Sequence, residues 1–172
     1  YYVNGLVNVY GTFTIEGNTV VKYNPAVASS IAVYADQVLC KTGPYRPAVF
    51  TSKHDNTVGQ TISGSSGQPY TDSQTFYLEF HDLDLDLHDL RFLYGYDPLT
   101  TFGGSLVLRH SQFVRNAYPF WFNNTAPCLL QNVLVADTPW DVFYMAGTHA
   151  VGENLTVHAA RNLFYNESTA TL

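Results

Sequence analysis

Two columns of side chains recur along the second half of this chain at a nearly constant interval. Asp89, His110, Asn132 and Asn154 form one, spaced 21, 22 and 22 residues apart. Phe92, Phe113, Val135 and Val157 form the other, with the same spacings. They belong to copies of one short segment: Leu87-His88-Asp89-Leu90-Arg91-Phe92, Leu108 to Phe113, Leu130 to Val135, and Glu153 to Val157. An aromatic cluster trails each of the last three copies, at Phe120-Trp121-Phe122, Val142-Phe143-Tyr144 and Leu163-Phe164-Tyr165. Each copy therefore holds two or three short strands separated by turns. A fixed period of this length is the signature of a stacked repeat architecture.

Leucine-rich repeats have a similar period, but their regular leucine consensus is missing. A parallel β-helix has coils of this length, each strand pairing with its counterpart one coil away at about 4.8 Å. Apolar columns then fill the interior. A polar column stacks as well, with an Asn or Asp bonding the backbone of its own turn and its neighbour. Asp89, His110, Asn132 and Asn154 are read as such a ladder. The expectation is an all-β, right-handed parallel β-helix of about six coils, spanning 11–172 as one domain, with residues 1–10 as an arm or first strand. A Greek-key β-sandwich is the alternative; it accounts for strands but leaves the two columns unexplained.

Strand signals precede the repeat. Tyr10 to Gly17 alternates apolar and polar residues between glycines, and Asn18 to Tyr23 follows. Residues 26–41 fit a helix by their mixed Ala and Val spacing, but the β-branched residues and the alternation of Ile31, Val33 and Ala35 favour strands. Residues 53–75 are rich in Ser, Gly, Thr, Asp and Asn and read as one long surface loop, uncommon in a compact domain unless functional or flexible. In His81–Leu90, Leu83, Leu85 and Leu87 alternate with Asp82, Asp84 and Asp86, which places leucines inward and aspartates outward on one strand.

Thr12 to Gly17, Val49-Phe50-Thr51-Ser52-Lys53-His54-Asp55-Asn56-Thr57-Val58-Gly59, Asn132-Val133-Leu134 and Leu155-Thr156-Val157-His158 resemble secreted right-handed parallel β-helix proteins of environmental bacteria. These share the pectin-lyase-like fold. The resemblance runs from about residue 10 onward. It implies a fold and a surface or extracellular location more than an activity. In similar proteins the loop after Phe-Thr-Ser-Lys carries several acidic residues, and here Asp55 alone stands in that run.

The composition bounds the function. A net charge of −6 with no basic stripe argues against a dedicated nucleic-acid binder. Charged residues are 13%, about half the usual share, while hydrophobic residues at 46% suffice for a core. No apolar run is long enough for a membrane-spanning helix. Low charge density with many Tyr, Thr, Asn and Ser suggests an extracellular or cell-surface protein. The chain starts Tyr1-Tyr2 without a visible signal peptide, as expected of a processed or cropped chain. Cys40 and Cys128 fall in about the second and fifth coils, hence about 14 Å apart. A disulfide needs Cα atoms within about 7 Å, so two free, buried thiols are expected.

Asp82, Asp84 and Asp86 would stand about 7 Å apart along a strand, inside the range of paired glycosidase carboxylates. Yet a general acid needs partial burial to raise its pKa, which an open acidic face does not supply. They are the weak catalytic candidates, and the bland reading is a solvated face that discourages edge pairing. Calcium takes six to eight oxygen ligands, and a strand cannot wrap an ion alone, so Asp55 and Asp72 in the loop are the candidate helpers. No other cofactor is implied. The six histidines show no metal spacing. Asn123, Asn154 and Asn166 open N-glycosylation sequons; Asn123, beside a turn, is the favoured one, because Asn154 should turn toward the backbone within the ladder.

The leading functional expectation is a non-catalytic extracellular structural protein, such as an adhesin segment or a self-assembling filament subunit. Its partners would be itself, end to end, or further coils of a longer chain. The alternative is a polysaccharide-active lyase or hydrolase, with carbohydrate as partner. A catalytic cleft should gather acids and bases from several coils, whereas here the acids crowd into one segment.

Overall fold

The computed structural model describes residues 1–71 and 75–165. Twenty parallel-paired strands wind into a right-handed β-helix of about seven turns, with no helix among the described residues. The first coil holds β1 (Tyr2–Val3), β2 (Leu6–Val9) and β3 (Thr12–Glu16). The second holds β4 (Val20–Tyr23), β5 (Ser29–Val33) and β6 (Gln37–Lys41). The third holds β7 (Ala48–Ser52), β8 (Thr75–His81) and β9 (Asp84–His88). The fourth holds β10 (Leu90–Leu93), β11 (Asp97–Phe102) and β12 (Ser105–Arg109). The fifth holds β13 (Gln112–Val114), β14 (Phe120–Asn123) and β15 (Cys128–Gln131). The sixth holds β16 (Leu134–Ala136), β17 (Asp141–Ala146) and β18 (Ala150–Glu153). The seventh holds β19 (Thr156–His158) and β20 (Asn162–Phe164). Residues 1–10 contribute two strands to a coil of their own, so the count rises from the expected six to about seven.

The first strands of the coils form one seven-stranded face, and the second strands form another. The third face is interrupted: β3 pairs with β6, and β9, β12, β15 and β18 form a separate sheet. Where the ladder breaks between β6 and β9, the Thr42 hydroxyl donates to the His88 carbonyl, and the Cys40 thiol reaches the same oxygen at 3.5 Å.

In-register pairing explains the periodic columns. Phe92 pairs with Phe50 and Phe113, Phe113 with Val135, and Val135 with Val157. Identical side chains one coil apart stack face to face: the Phe50, Phe92 and Phe113 rings lie 5.0 and 4.7 Å apart, and the Phe120, Phe143 and Phe164 rings 5.0 and 5.6 Å. Leu87, Leu108 and Leu130 form a parallel aliphatic column on the third face. This interior is the hydrophobic core.

The corners are made by left-handed backbones. Asp89, His110, Asn132 and Asn154 have φ of 51°, 50°, 54° and 56°. Tyr94, Arg115, Asp137 and Ala159 form a second such column, at 61°, 57°, 55° and 53°. Asp82, Gly103, Asn124 and Gly147 form a third. This conformation is uncommon outside Gly, Asn and Asp. Here each turn is pinned to the next: the Asp89, His110 and Asn132 amides donate to the carbonyls of Arg109, Gln131 and Glu153.

Residues 53–71 carry no strand and leave the stack between the first and second faces. They fold back over β4: Val20 contacts Gly59, and Val20, Lys22, Gln60 and Ile62 border one shared cavity of about 390 Å³. Lys22 is thereby only 2% exposed, and its Nζ donates to the Asp55 carbonyl at 2.6 Å. Both cysteines are free. Cys40 lies in the second coil and Cys128 in the fifth, as their spacing predicts. Cys128 is buried, but Cys40 is only half-buried, because it borders the gap in the third face.

Candidate functional site

The acidic segment after β8 divides in two. Asp82 is at a corner with φ of 52°, so it does not share the strand face expected of it. The tight turn from β8 into β9 demands a left-handed residue, and Asp tolerates that conformation. Asp84 and Asp86 do share the outward face of β9, flanking the buried Leu85. Neither is free. The Ser105 hydroxyl donates to Asp84 at 2.7 Å. Arg109 donates to both oxygens of Asp86, at 2.6 and 3.4 Å, and its Nε reaches Gln131 Oε1 at 3.2 Å. Gln131 Nε2 then donates to Glu153 Oε2 at 2.6 Å. Asp86, Arg109, Gln131 and Glu153 thus form a chain of contacts across four successive coils.

Asp55, the calcium candidate of the loop, is 0% exposed. Its carboxylate accepts from the Thr51 hydroxyl at 2.8 Å and from the Thr57 amide and hydroxyl at 2.9 and 2.5 Å. It closes the start of the loop onto β7 and presents nothing outward. Asp72 lies outside the described residues. Among the described residues, no three His, Cys, Asp or Glu side chains are grouped as a metal site.

Along the polar column, side-chain contact joins Asn154 Nδ2 to Asn132 Oδ1 at 3.1 Å. Asp89 instead meets the neighbouring His88 Nδ1 at 2.9 Å, and His110 is exposed. The column is continuous in its backbone more than in its side chains. Of the sequons, Asn154 is exposed rather than turned inward, with Thr156 also exposed. Asn123 is half-buried and accepts from Asn124 Nδ2 at 2.9 Å, while Thr125 is buried against Thr101 at 2.7 Å. Asn166 lies outside the described residues.

The repeated aromatic clusters of the sequence contain Trp121, Tyr144 and Tyr165, but neither their stacking nor the other outer stacks were evident from it. Tyr10, Tyr34, His81 and Phe102 stack in series, with centroids 5.8, 4.3 and 4.9 Å apart. Trp121, Tyr144 and Tyr165 form a second series at 4.4 and 5.0 Å. Tyr118 stacks on Trp140 at 6.3 Å, and the Arg161 guanidinium lies 5.1 Å from the Trp140 centroid. A ring stacked between two neighbours offers its edge to solvent, whereas a flat ligand such as a sugar needs a free face. Also passed over was Asp97 at the start of β11, which is 0% exposed and held at about 8 by burial first and by Glu79 second.

At the N-terminal end, the lumen of the first coil is open. Val3, Val7, Val9, Phe13, Ile15 and Phe50 are among the lining of an apolar cavity of about 350 Å³. Leu6 and Val7 on β2 are exposed beside it. No family model, curated protein or solved structure matches this chain. Among the described residues, no helix is long and apolar enough to cross a membrane.

Proposed function

We propose that this chain is a non-catalytic structural module of an extracellular or surface protein of the pectin-lyase-like kind, and that its first coil stacks end to end on another parallel coil, from a second copy or from more of a longer chain. The observation that carries this reading is how the outward polar groups are used. Asp84, Asp86, Arg109, Gln131 and Glu153 bond to neighbouring coils, which stiffens the stack along its axis. A polysaccharide-active enzyme needs an accessible acid and base on one surface. Asp97, a carboxyl favoured neutral, is enclosed where no substrate reaches it.

The open first coil supplies the contact. Its apolar lining and the outer edges of β1, β2 and β3 match what a parallel coil presents, and uncovered strand edges template further pairing. Head-to-tail contacts of this type are heterologous and extend into filaments. The test is sedimentation velocity and electron microscopy of the chain and of a Leu6→Lys, Val7→Lys double variant. Concentration-dependent particles from the first and monomers from the second are expected. A parent chain that stays monomeric at high concentration overturns the stacking on a second copy. Cleavage of an acidic polysaccharide by the parent chain overturns the non-catalytic reading.

A further inference from the structure

Asp97 pairs in register with Phe76 of β8. It is 0% exposed, and among the described residues neither carboxyl oxygen has a hydrogen-bond partner. The groups around it are acidic or phenolic. From β8 comes the half-buried Glu79. From the turn before β14 comes Tyr118, hydrogen-bonded to Tyr96 and raised by its own burial first. Behind Tyr118 lies Asp141 of β17, which accepts from Asn162 Nδ2 at 2.6 Å. Among the described residues no Lys, Arg or His forms an ion pair with Asp97.

An enclosed carboxyl without donors or a counter-ion is tolerated neutral and strongly disfavoured charged. We propose that Asp97 is a protonation latch: the second face closes over the third to fifth coils with this carboxyl neutral, and loss of its proton loosens β8, β11 and β14. The edge-on contacts of Phe76 with Tyr96 and of Tyr96 with Tyr118 bracket the same place, so loosening there disturbs the packing of three coils together.

The direction with pH follows from linkage. The folded value stands near 8 against the usual 3.8, so the folded state holds a proton that the unfolded chain has given up. The stabilisation is complete below 3.8 and is lost as pH rises through about 8. The contribution of Asp97 to stability is therefore greatest in acid surroundings.

The test is isotope-edited infrared spectroscopy of the Asp carboxyls across a pH series, with amide exchange by mass spectrometry corrected for the intrinsic pH dependence. In the parent chain a protonated-carboxyl band is expected to persist at neutral pH and to vanish as pH passes about 8. Exchange in β8, β11 and β14 should accelerate over the same range, while β12 and β15 serve as the reference. Asp97→Asn should lack both the band and the acceleration. Should Asp97→Asn fail to fold, Glu79→Gln serves, because removing the neighbouring charge moves the loss of the band to lower pH. Absence of the band at neutral pH, an acceleration that Asp97→Asn retains, or a transition that Glu79→Gln does not move overturns the latch.

Discussion

Arg109 of β12 reaches back one coil to Asp86 of β9, with Nη1 2.6 Å from Oδ1. Both side chains are substantially solvated, so water and salt weaken the pair. An exposed ion pair contributes about 0–1 kcal/mol. Asp86→Asn should therefore lower stability by less than about 1 kcal/mol, and the loss should shrink as salt is added. Thermal melts at low and high ionic strength check this. A loss that is large and indifferent to salt would assign Asp86 a different role.

Leu85 and Asp84 are adjacent on β9 and face opposite ways, and their substitutions should differ accordingly. Leu85 is 4% exposed and pairs with Leu106. Leu85→Asp deletes packing and buries a charge, at a combined cost of about 5 kcal/mol or more, enough to abolish cooperative unfolding. Asp84→Asn should stay within about 0.5 kcal/mol. Equally mild melts for the two would reverse the inside–outside assignment of β9.

The later coils were legible because their length hardly varies. Phe92, Phe113, Val135 and Val157 stand at a nearly constant interval, and that spacing becomes in-register pairing. The earlier coils belong to the same columns but hide them: Val21 to Phe50 is 29 residues and Phe50 to Phe92 is 42, the latter stretched by the loop. Asp89, His110, Asn132 and Asn154 were visible as a column, yet their shared property is a left-handed backbone, for which Asn, Asp and His are enriched without being diagnostic. Tyr94, Arg115 and Ala159 adopt the same conformation with no residue-type signal at all. Asp97 was silent for another reason. A lone Asp before Pro98 reads as turn chemistry, and its burial is created by residues from other coils. The loop was evident from its composition, but its cover over Lys22 depends on a docking that composition does not encode.

Asn132 tests the corner column directly. Its φ of 54° suits Asn and Gly and opposes a β-branched residue. Asn132→Gly should be close to neutral, since it relieves the backbone while losing the contact from Asn154. Asn132→Val should cost about 1–3 kcal/mol. Chemical denaturation of the two variants checks the order. If Gly and Val proved equally costly, the Asn132 side chain rather than its backbone would hold the corner.

The two thiols should separate cleanly in reactivity. Cys128 is buried beneath the third face, and burial pushes its thiol up to about 12, so almost no thiolate forms at neutral pH. The thiolate is the reactive species, so both access and ionisation protect this residue. Cys40 is half-buried at the gap between β6 and β9, with its sulfur 3.1 Å from the Thr42 hydroxyl. A maleimide added to the native protein should label Cys40 alone, and denaturant should expose Cys128 to the same reagent. Peptide mass spectrometry distinguishes the sites and should find no Cys40–Cys128 bridge, because the two coils are separated by about three strand spacings, some 14 Å. Rapid native labelling of Cys128 would mean that the third face opens between β12, β15 and β18. A bridge between the two would contradict the stacking order of the coils.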